Sequence, residues 1–191
     1  YNERVGVTVI ICGGRDSSMY YVDECYSLTS EKATLVTHMS VRREYAASIV
    51  INDNTLWVTG GSGGEYLAST EYVTVTGTMP GPDLPMALYR HAMVAINSTC
   101  SMVIGGYSND FSASTFSYDH NEGEWFSGPS LMQARRSHAA GIVTDEELDE
   151  NFVAVTGGYG PGYFDSTEIL QDGEWVQGKL NDTICLPLIH F

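Results

Sequence analysis

Basic residues are scarce in this chain. It carries 9 Lys and Arg against 24 Asp and Glu, which gives a formal net charge of −15. Nucleic acids and anionic membranes are bound through basic surfaces, so the composition argues against both as partners. Long apolar runs are also missing, because no stretch approaches the ~18 apolar residues of a membrane-spanning helix. We therefore expect no membrane insertion.

Several motifs of catalytic and metal-binding proteins are absent as well. The sequence contains no paired Cys-x-x-Cys, no phosphate-binding glycine loop and no G-x-S-x-G nucleophile elbow. We therefore expect neither a metal nor a cofactor, and we favour a function other than catalysis.

Glycine, in contrast, is abundant and regularly placed. Four Gly-Gly doublets each follow a short apolar run and recur after 47, 45 and 52 residues, at positions 13–14, 60–61, 105–106 and 157–158. A period of about 40–50 residues with short strands is typical of β-propeller blades. A chain leaving a buried strand at a doublet is expected to take a positive φ or to approach another backbone closely.

Two further blocks repeat in phase with the doublets. Ten residues after the second glycine come Glu71, Phe116 and Glu168, and Cys25 comes eleven residues after it in the first repeat. Upstream of the doublets, residues 42–50 align with residues 135–143, and residues 88–93 are a weaker copy. The repeat therefore covers most of the chain.

This pattern resembles the kelch-repeat family, in which four apolar residues, Gly-Gly, a spaced Tyr and a later Trp recur. Trp125 and Trp175 stand near the expected place, whereas the first two repeats lack the Trp. The resemblance implies an all-β, kelch-type β-propeller with four recognisable blades in a single domain over residues 1–191.

The ends of the chain cut across the repeat. The first doublet comes after twelve residues, and residues 184–191 look like the start of a fifth repeat. One interpretation is a fragment of a larger propeller of about six blades, and the other is a closed ring of four. We favour the fragment, because the final segment stops before most of the strand that closure requires.

Cysteines and sequons bear on the compartment. Asn97 and Asn181 each begin a glycosylation sequon. Cys12 and Cys25 lie at the ends of consecutive predicted strands, so antiparallel pairing brings them within disulfide reach. Cys100 and Cys185 have no comparable argument for pairing. We expect a secreted or extracellular protein, and the alternative is a cytoplasmic protein with reduced cysteines.

By resemblance to kelch substrate receptors, the residues just after each doublet and just before each inner strand face one rim. These candidate binding residues are Arg15, Asp16, Arg43, Glu44, Tyr89, Arg90, Tyr107, Asn109, Arg136, Ser137 and Tyr159. Arginine and tyrosine carry much of the energy of protein interfaces. His91 and His138 occupy corresponding repeat positions, where the family more often uses histidine structurally than as a metal ligand.

Most of the basic residues fall in these blocks, which predicts a positive patch suited to an acidic peptide. The competing interpretation is that Arg42 and Arg135 form structural ion pairs with Glu71 and Glu168. We expect a module that binds a protein or peptide. The alternatives are a carbohydrate-active or oxidative kelch-type enzyme with its site outside this chain, and a structural subunit of an extracellular assembly that binds neighbouring subunits.

Overall fold

The computed structural model describes residues 9–52, 55–145 and 150–178. In this part of the chain, strands form four antiparallel sheets, which we number I to IV in chain order. Sheet I contains β1 (Val9–Cys12), β2 (Glu24–Leu28) and β3 (Ala33–His38). Sheet II contains β4 (Ala47–Asn52), β5 (Thr55–Thr59), β6 (Thr70–Thr74) and β7 (Gly77–Pro80). Sheet III contains β8 (Ala92–Ala95), β9 (Cys100–Ile104), β10 (Thr115–Asp119) and β11 (Glu124–Ser127). Sheet IV contains β12 (Ala139–Asp145), β13 (Glu150–Thr156), β14 (Thr167–Gln171) and β15 (Glu174–Gln177).

Each sheet is built from strands that follow one another in the sequence and pair in that order. The first strand of sheet III contacts the first strands of sheets II and IV, so the three sheets adjoin along their first strands. The all-β architecture predicted from the sequence is confirmed, and the arrangement is consistent with a β-propeller-like fold.

In sheets II and III, the second strand is buried on both faces. In β5, residues 56–59 are all buried, whereas β4 alternates between half-buried and exposed positions. Alternation is expected for a strand with one solvated face, and a continuous apolar run is expected for a strand covered on both sides. In sheets II and III, the apolar run before the doublet is thus a strand enclosed by neighbouring sheets, whereas β1 of sheet I is partly exposed.

Three apolar clusters fill the spaces between neighbouring sheets. Cys25, Leu56 and Val58 belong to the cluster between sheets I and II. Trp57 is fully buried and packs with residues of sheet III, where it lies 5.0 Å from the Tyr118 ring. A third cluster joins sheets III and IV. Burying one such side chain contributes about 1.5–3 kcal/mol, so packing between sheets supplies much of the stability.

Three of the doublets are hydrogen-bonded to the segment that leads into the next sheet. All eight glycines have a positive φ, between +58° and +107°, as expected from the sequence. The second glycine donates its N–H to the connection that enters the next sheet, with an N···O distance of 2.8 Å from Gly61 to Leu88. Gly14 and Gly106 make the same bond to Arg43 and Arg135, also at 2.8 Å.

Two of the segments that lead from one sheet into the next are held by a buried ion pair. A guanidinium nitrogen of Arg43 lies 2.7 Å from Glu71 on β6, and Arg135 lies 2.7 Å from Glu168 on β14. The predicted pair between Arg135 and Glu168 is confirmed. The partner of Glu71, however, is Arg43 and not Arg42, which is exposed.

The sequence alignment of residues 42–50 with residues 135–143 is displaced by one residue. The glycine hydrogen bonds equate Arg43 with Arg135, and the strand registers equate Ala47 with Ala139. Alignment by residue identity matched the Arg-Arg and Ala-Ala pairs and so placed residue 42 opposite residue 135, although the hydrogen-bond register places residue 43 there. Position by position, Glu44 therefore corresponds to Tyr89 and Arg136.

Sheet I departs from the repeat in its loop. Its doublet is followed by a connection two residues longer than those of the other sheets, which moves Cys25 opposite Cys12. The expected Cys12–Cys25 disulfide is formed. Tyr26, and not Cys25, therefore takes the place of Glu71. Within the described segments, no helix is long and apolar enough to cross a membrane.

Candidate functional site

A continuous surface of tyrosines and arginines lies at the strand ends that carry the doublets. In sheets II, III and IV, the residue after the doublet forms an isolated β-bridge. Its partner is the residue three positions before the start of the first strand. Tyr107 bridges Tyr89 in this way in sheet III, and it also bridges Phe111 four residues later. We call this surface the rim surface and define it by Arg15, Tyr21, Glu44, Tyr45, Ser62, Tyr66, Tyr89, Arg90, Tyr107, Phe111, Arg136, Ser137, Tyr159 and Tyr163.

Three residues of the rim surface have a positive φ although they are not glycine. Tyr45, Arg90 and Ser137 occupy corresponding positions and have φ values of 53°, 57° and 54°. A non-glycine residue in this region costs of order 1–3 kcal/mol, and such residues cluster at functional sites. Here hydrogen bonds between sheets hold the conformation, from Arg90 N to Tyr45 O at 2.9 Å and from Ser137 N to Arg90 O at 2.8 Å.

Side chains also tie the sheets together at the rim surface. Arg15 of sheet I forms a bidentate pair with Glu44 of sheet II, with both N···O distances at 2.7 Å. The Arg90 guanidinium lies 3.7 Å from the centre of the Tyr45 ring, which is a close cation–π contact. These contacts fix the relative positions of the loops and so preorganise the surface.

Six aromatic rings form a row across sheets II to IV. Tyr66 stacks on Tyr89, with ring centres 4.7 Å apart and planes 9° apart. From Tyr89 the row continues through further ring contacts of 5.1–5.6 Å, to Tyr107, Phe111, Tyr159 and Tyr163. Partial desolvation among neighbouring rings raises the pKa of Tyr66. Tyr163 at the end of the row is 92% exposed.

Arg136 lies within this row. Its Nη1 donates to the Tyr89 hydroxyl at 2.9 Å, and its guanidinium carbon lies 5.2 Å from the centre of the Tyr107 ring. The rings of Phe111 and Tyr159 are 5.4 and 5.5 Å away. Arginine surrounded by aromatic rings is a combination that carries binding energy at interfaces.

A depression of about 490 Å³ opens on the rim surface between sheets I, II and III. Tyr45 and Tyr66 border it, and they are 48% and 40% exposed. Met19, from the longer loop of sheet I, contributes an exposed apolar side chain to the same depression. The depression has the size of a small ligand or of a few peptide side chains.

The structure brings most of the sequence-predicted binding residues together, with one correction. Arg43 has no exposed side-chain surface and is held by Glu71, so it is not part of the rim surface. Asp16 is exposed, but its carboxylate accepts hydrogen bonds from Ser18 N and Tyr20 N and shapes its own loop. Asn109 is exposed at a loop tip, next to the aromatic row.

Sequence reasoning missed the aromatic residues that follow the loop tips. Tyr66, Phe111 and Tyr163 each stand five residues after the second glycine of a doublet, and Tyr21 stands seven residues after it because of the longer loop. This spacing repeats as regularly as the doublets do and was available in the sequence. Tyr45 was part of the aligned block, but its role depends on its positive φ.

The predicted positive patch is smaller than the number of arginines suggests. Arg43 and Arg135 are buried in ion pairs, and Arg15 is paired with Glu44. No ion pair joins Arg90 or Arg136 to a carboxylate among the described residues. Around them the loop tips are acidic, because Glu65 and Asp110 are exposed directly before Tyr66 and Phe111.

His91 and His138 lie beneath the rim surface, between neighbouring sheets. His91 Nε2 is 2.9 Å from Thr59 Oγ1, and both residues are buried. Burial lowers the pKa of His91 to about 3 and that of His138 to about 4, so both rings are neutral at pH 7. Within the described part of the chain, no three His, Cys, Asp or Glu residues are grouped to hold a metal.

The predicted glycosylation site at Asn97 lies at the opposite strand ends, in the turn between β8 and β9. Asn97 is exposed, and its Oδ1 accepts hydrogen bonds from the N–H of Thr99 at 2.8 Å and from its hydroxyl at 3.0 Å. A glycan there leaves the rim surface open. Asn181 and Cys185 lie outside the described residues, as does the predicted fifth repeat.

The comparisons with known proteins leave the family open. No model of a known protein family matches the chain, and no curated protein matches it significantly. The rim surface is therefore interpreted from its own geometry.

Proposed function

We propose that the protein is a binding module that recognises a protein or peptide partner through the rim surface. The supporting observation is the continuous row of tyrosines, arginines and one phenylalanine, held in place by contacts between sheets. Aromatic and arginine side chains dominate the energy of interfaces, and a surface fixed before binding loses little entropy when it binds.

The repeat supports a more specific assignment of the fold. We propose that sheets I to IV are blades of one kelch-type β-propeller domain. The support is that each doublet has the same backbone conformation, and that three of them donate the same hydrogen bond to the next sheet.

The cysteine chemistry bears on the compartment. The Cys12–Cys25 disulfide points to an oxidising environment, because cytosolic thiols are kept reduced. We propose that the protein is secreted or faces the extracellular space, with a glycan at Asn97.

Selection from a random peptide library displayed on phage, with the 191-residue chain as bait, tests the proposed function. The selected peptides are then titrated against the wild type, Tyr66→Ala and Arg136→Ala by fluorescence anisotropy. Each rim variant is expected to raise the Kd by about tenfold or more, which corresponds to about 1.4 kcal/mol.

Glu124→Ala is the matched control, because this exposed residue lies on β11 at the opposite strand ends. Its Kd should stay within about twofold of the wild type. Circular dichroism of all variants verifies folding. Peptides that bind the two rim variants as tightly as the wild type would show that another surface is used.

A further inference from the structure

The exposed tyrosine rings of the rim surface indicate what kind of segment binds there. One face of the Tyr45 ring is covered by Arg90, and one face of the Tyr66 ring is covered by Tyr89. Each of these tyrosines is still 40% or more exposed and borders the depression, so part of each ring remains accessible to a partner there. Accessible aromatic rings pack well against flat aliphatic rings, and proline is the residue that supplies them.

Among the described residues, the bridged backbone groups of the rim surface are already paired with each other. Glu44 and Ser62 exchange both of their N–H···O bonds at 2.9 Å, and Tyr89 and Tyr107 do so at 2.9 and 3.0 Å. A partner strand added to a sheet needs unpaired N–H and C=O groups on its host. A polyproline II segment needs none, because its own backbone groups remain solvated.

The shape of the aromatic row also favours an extended segment. Its rings extend from Tyr66 of sheet II to Tyr163 of sheet IV, so a partner that contacts all of them must span three sheets. A polyproline II helix advances about 3.1 Å per residue and is already ordered before it binds. A segment of about nine residues therefore covers several rings at a low cost in entropy.

The charges around the row favour a basic flank on that segment. Glu65 and Asp110 stand exposed at two loop tips beside the rings. Of the arginines, Arg15 is paired with Glu44, whereas Arg90 and Arg136 form no ion pair among the described residues and contact the Tyr45 ring and the Tyr89 hydroxyl, so a basic flank is expected at the acidic tips and not beside these two arginines. The net charge of −15 adds a field that attracts cations.

From these observations we infer that the rim surface binds a proline-rich segment flanked by Lys or Arg. This inference rests on the proposed function, because it names the class of peptide that the same surface takes. The prolines lie on the accessible parts of the Tyr45 and Tyr66 rings, and the basic residues lie near Glu65 and Asp110.

Three fluorescein-labelled synthetic peptides of nine residues test this inference on the 191-residue chain. Their sequences are RPPPPPPPR, EPPPPPPPE and RAAAAAAAR. The first is expected to bind at least about tenfold more tightly than either of the others, since one changes the charge and the other removes the proline rings. Tyr66→Ala should weaken its binding by about tenfold or more.

Reversal of the acidic tips separates charge from packing. The double variant Glu65→Lys with Asp110→Lys should raise the Kd of RPPPPPPPR and lower the Kd of EPPPPPPPE. Glu124→Lys should change neither Kd by more than about twofold. Tighter binding of the acidic peptide to the wild type, equal binding of the alanine peptide, or no binding of RPPPPPPPR up to about 1 mM overturns the inference. In each of these cases the proposed function survives if the phage-selected peptides still depend on Tyr66, and it fails with the inference if they do not.

Discussion

Removing the Glu71 carboxylate should be among the most destabilising single changes in the protein. Glu71 is 3% exposed and lies 2.7 Å from Arg43, and it also accepts the N–H groups of Ser40 at 2.6 Å and Val41 at 3.1 Å. Breaking a buried ion pair by removing one partner costs about 3–5 kcal/mol, because the remaining charge stays buried. Arg43 keeps hydrogen bonds to Gly60 and Ser69, which places the expected cost of Glu71→Ala near 4 kcal/mol.

The protein contains its own apolar version of this pair. In sheet III, Leu88 and Phe116 stand where sheets II and IV have arginine and glutamate. Replacing a buried ion pair by apolar residues of similar volume is often close to neutral. The double variant Arg43→Leu with Glu71→Phe should therefore be less destabilised than Glu71→Ala alone.

Urea unfolding followed by circular dichroism measures both effects. Free energies of unfolding for the wild type, each single variant and the double variant form a double-mutant cycle. We expect a coupling energy of about 2 kcal/mol or more between residues 43 and 71. A cost below about 1 kcal/mol for Glu71→Ala, or purely additive effects, would refute the role assigned to the buried pair.

Three other predictions concern stability. Because the pKa values of His91 and His138 are about 3 and 4 in the folded protein, the unfolded chain binds more protons below pH 6.5. Each histidine should therefore lower the free energy of unfolding by about 1.4 kcal/mol per pH unit as the pH falls from 6.5 towards 4, in urea titrations. Reduction of the Cys12–Cys25 disulfide, 13 residues apart in sequence, should lower this free energy by about 3 kcal/mol. Gly61→Ala should cost about 2 kcal/mol or more, because φ is +94° and a Cβ would lie 2.6 Å from a backbone oxygen of Glu44.

Matched variants control these predictions. Replacing both disulfide cysteines by threonine reproduces the pair that Thr156 and Thr167 form in sheet IV, so its stability should equal that of the reduced wild type. Gly64→Ala retains a positive φ of +114° but meets no atom within 4 Å, and it should cost less than Gly61→Ala. A pH slope unchanged after both histidines are replaced by glutamine would contradict their assignment as the source of that slope.

The sequence predicted the features that depend on local backbone chemistry. The doublets required glycine because the chain turns there with a positive φ, and this was foreseeable from their position after apolar strands. The Cys12–Cys25 disulfide was also foreseeable, because consecutive antiparallel strands place their ends opposite each other.

Features that depend on contacts between sheets were harder to foresee. The repeat in the sequence predicts Arg42 in the ion pair with Glu71 and Arg43 on the rim, whereas the hydrogen bond from Gly14 N to the Arg43 carbonyl sets the register and the Arg43 side chain pairs with Glu71. A shift of one residue along an extended chain reverses the side that each residue faces. The same shift explains why Arg43 was placed on the rim.

The aromatic row was hidden for a different reason. Tyr66, Phe111 and Tyr163 keep a constant distance from the doublets, but loops of different composition separate them. Their spacing indicates a repeated position, whereas their mutual stacking depends on how neighbouring sheets are placed. The sequence could therefore have supplied the residues but not the continuous surface.

Binding at the rim surface is tested most directly by mapping where a ligand peptide protects the protein. Hydrogen exchange measured by mass spectrometry, with and without a phage-selected peptide, reports protection along the whole chain. Binding at the rim surface should slow exchange in the loops at the doublet ends, in residues 15–21, 62–66, 107–111 and 159–163. Protection confined to the opposite strand ends, around residues 97–100 and 119–124, would contradict it.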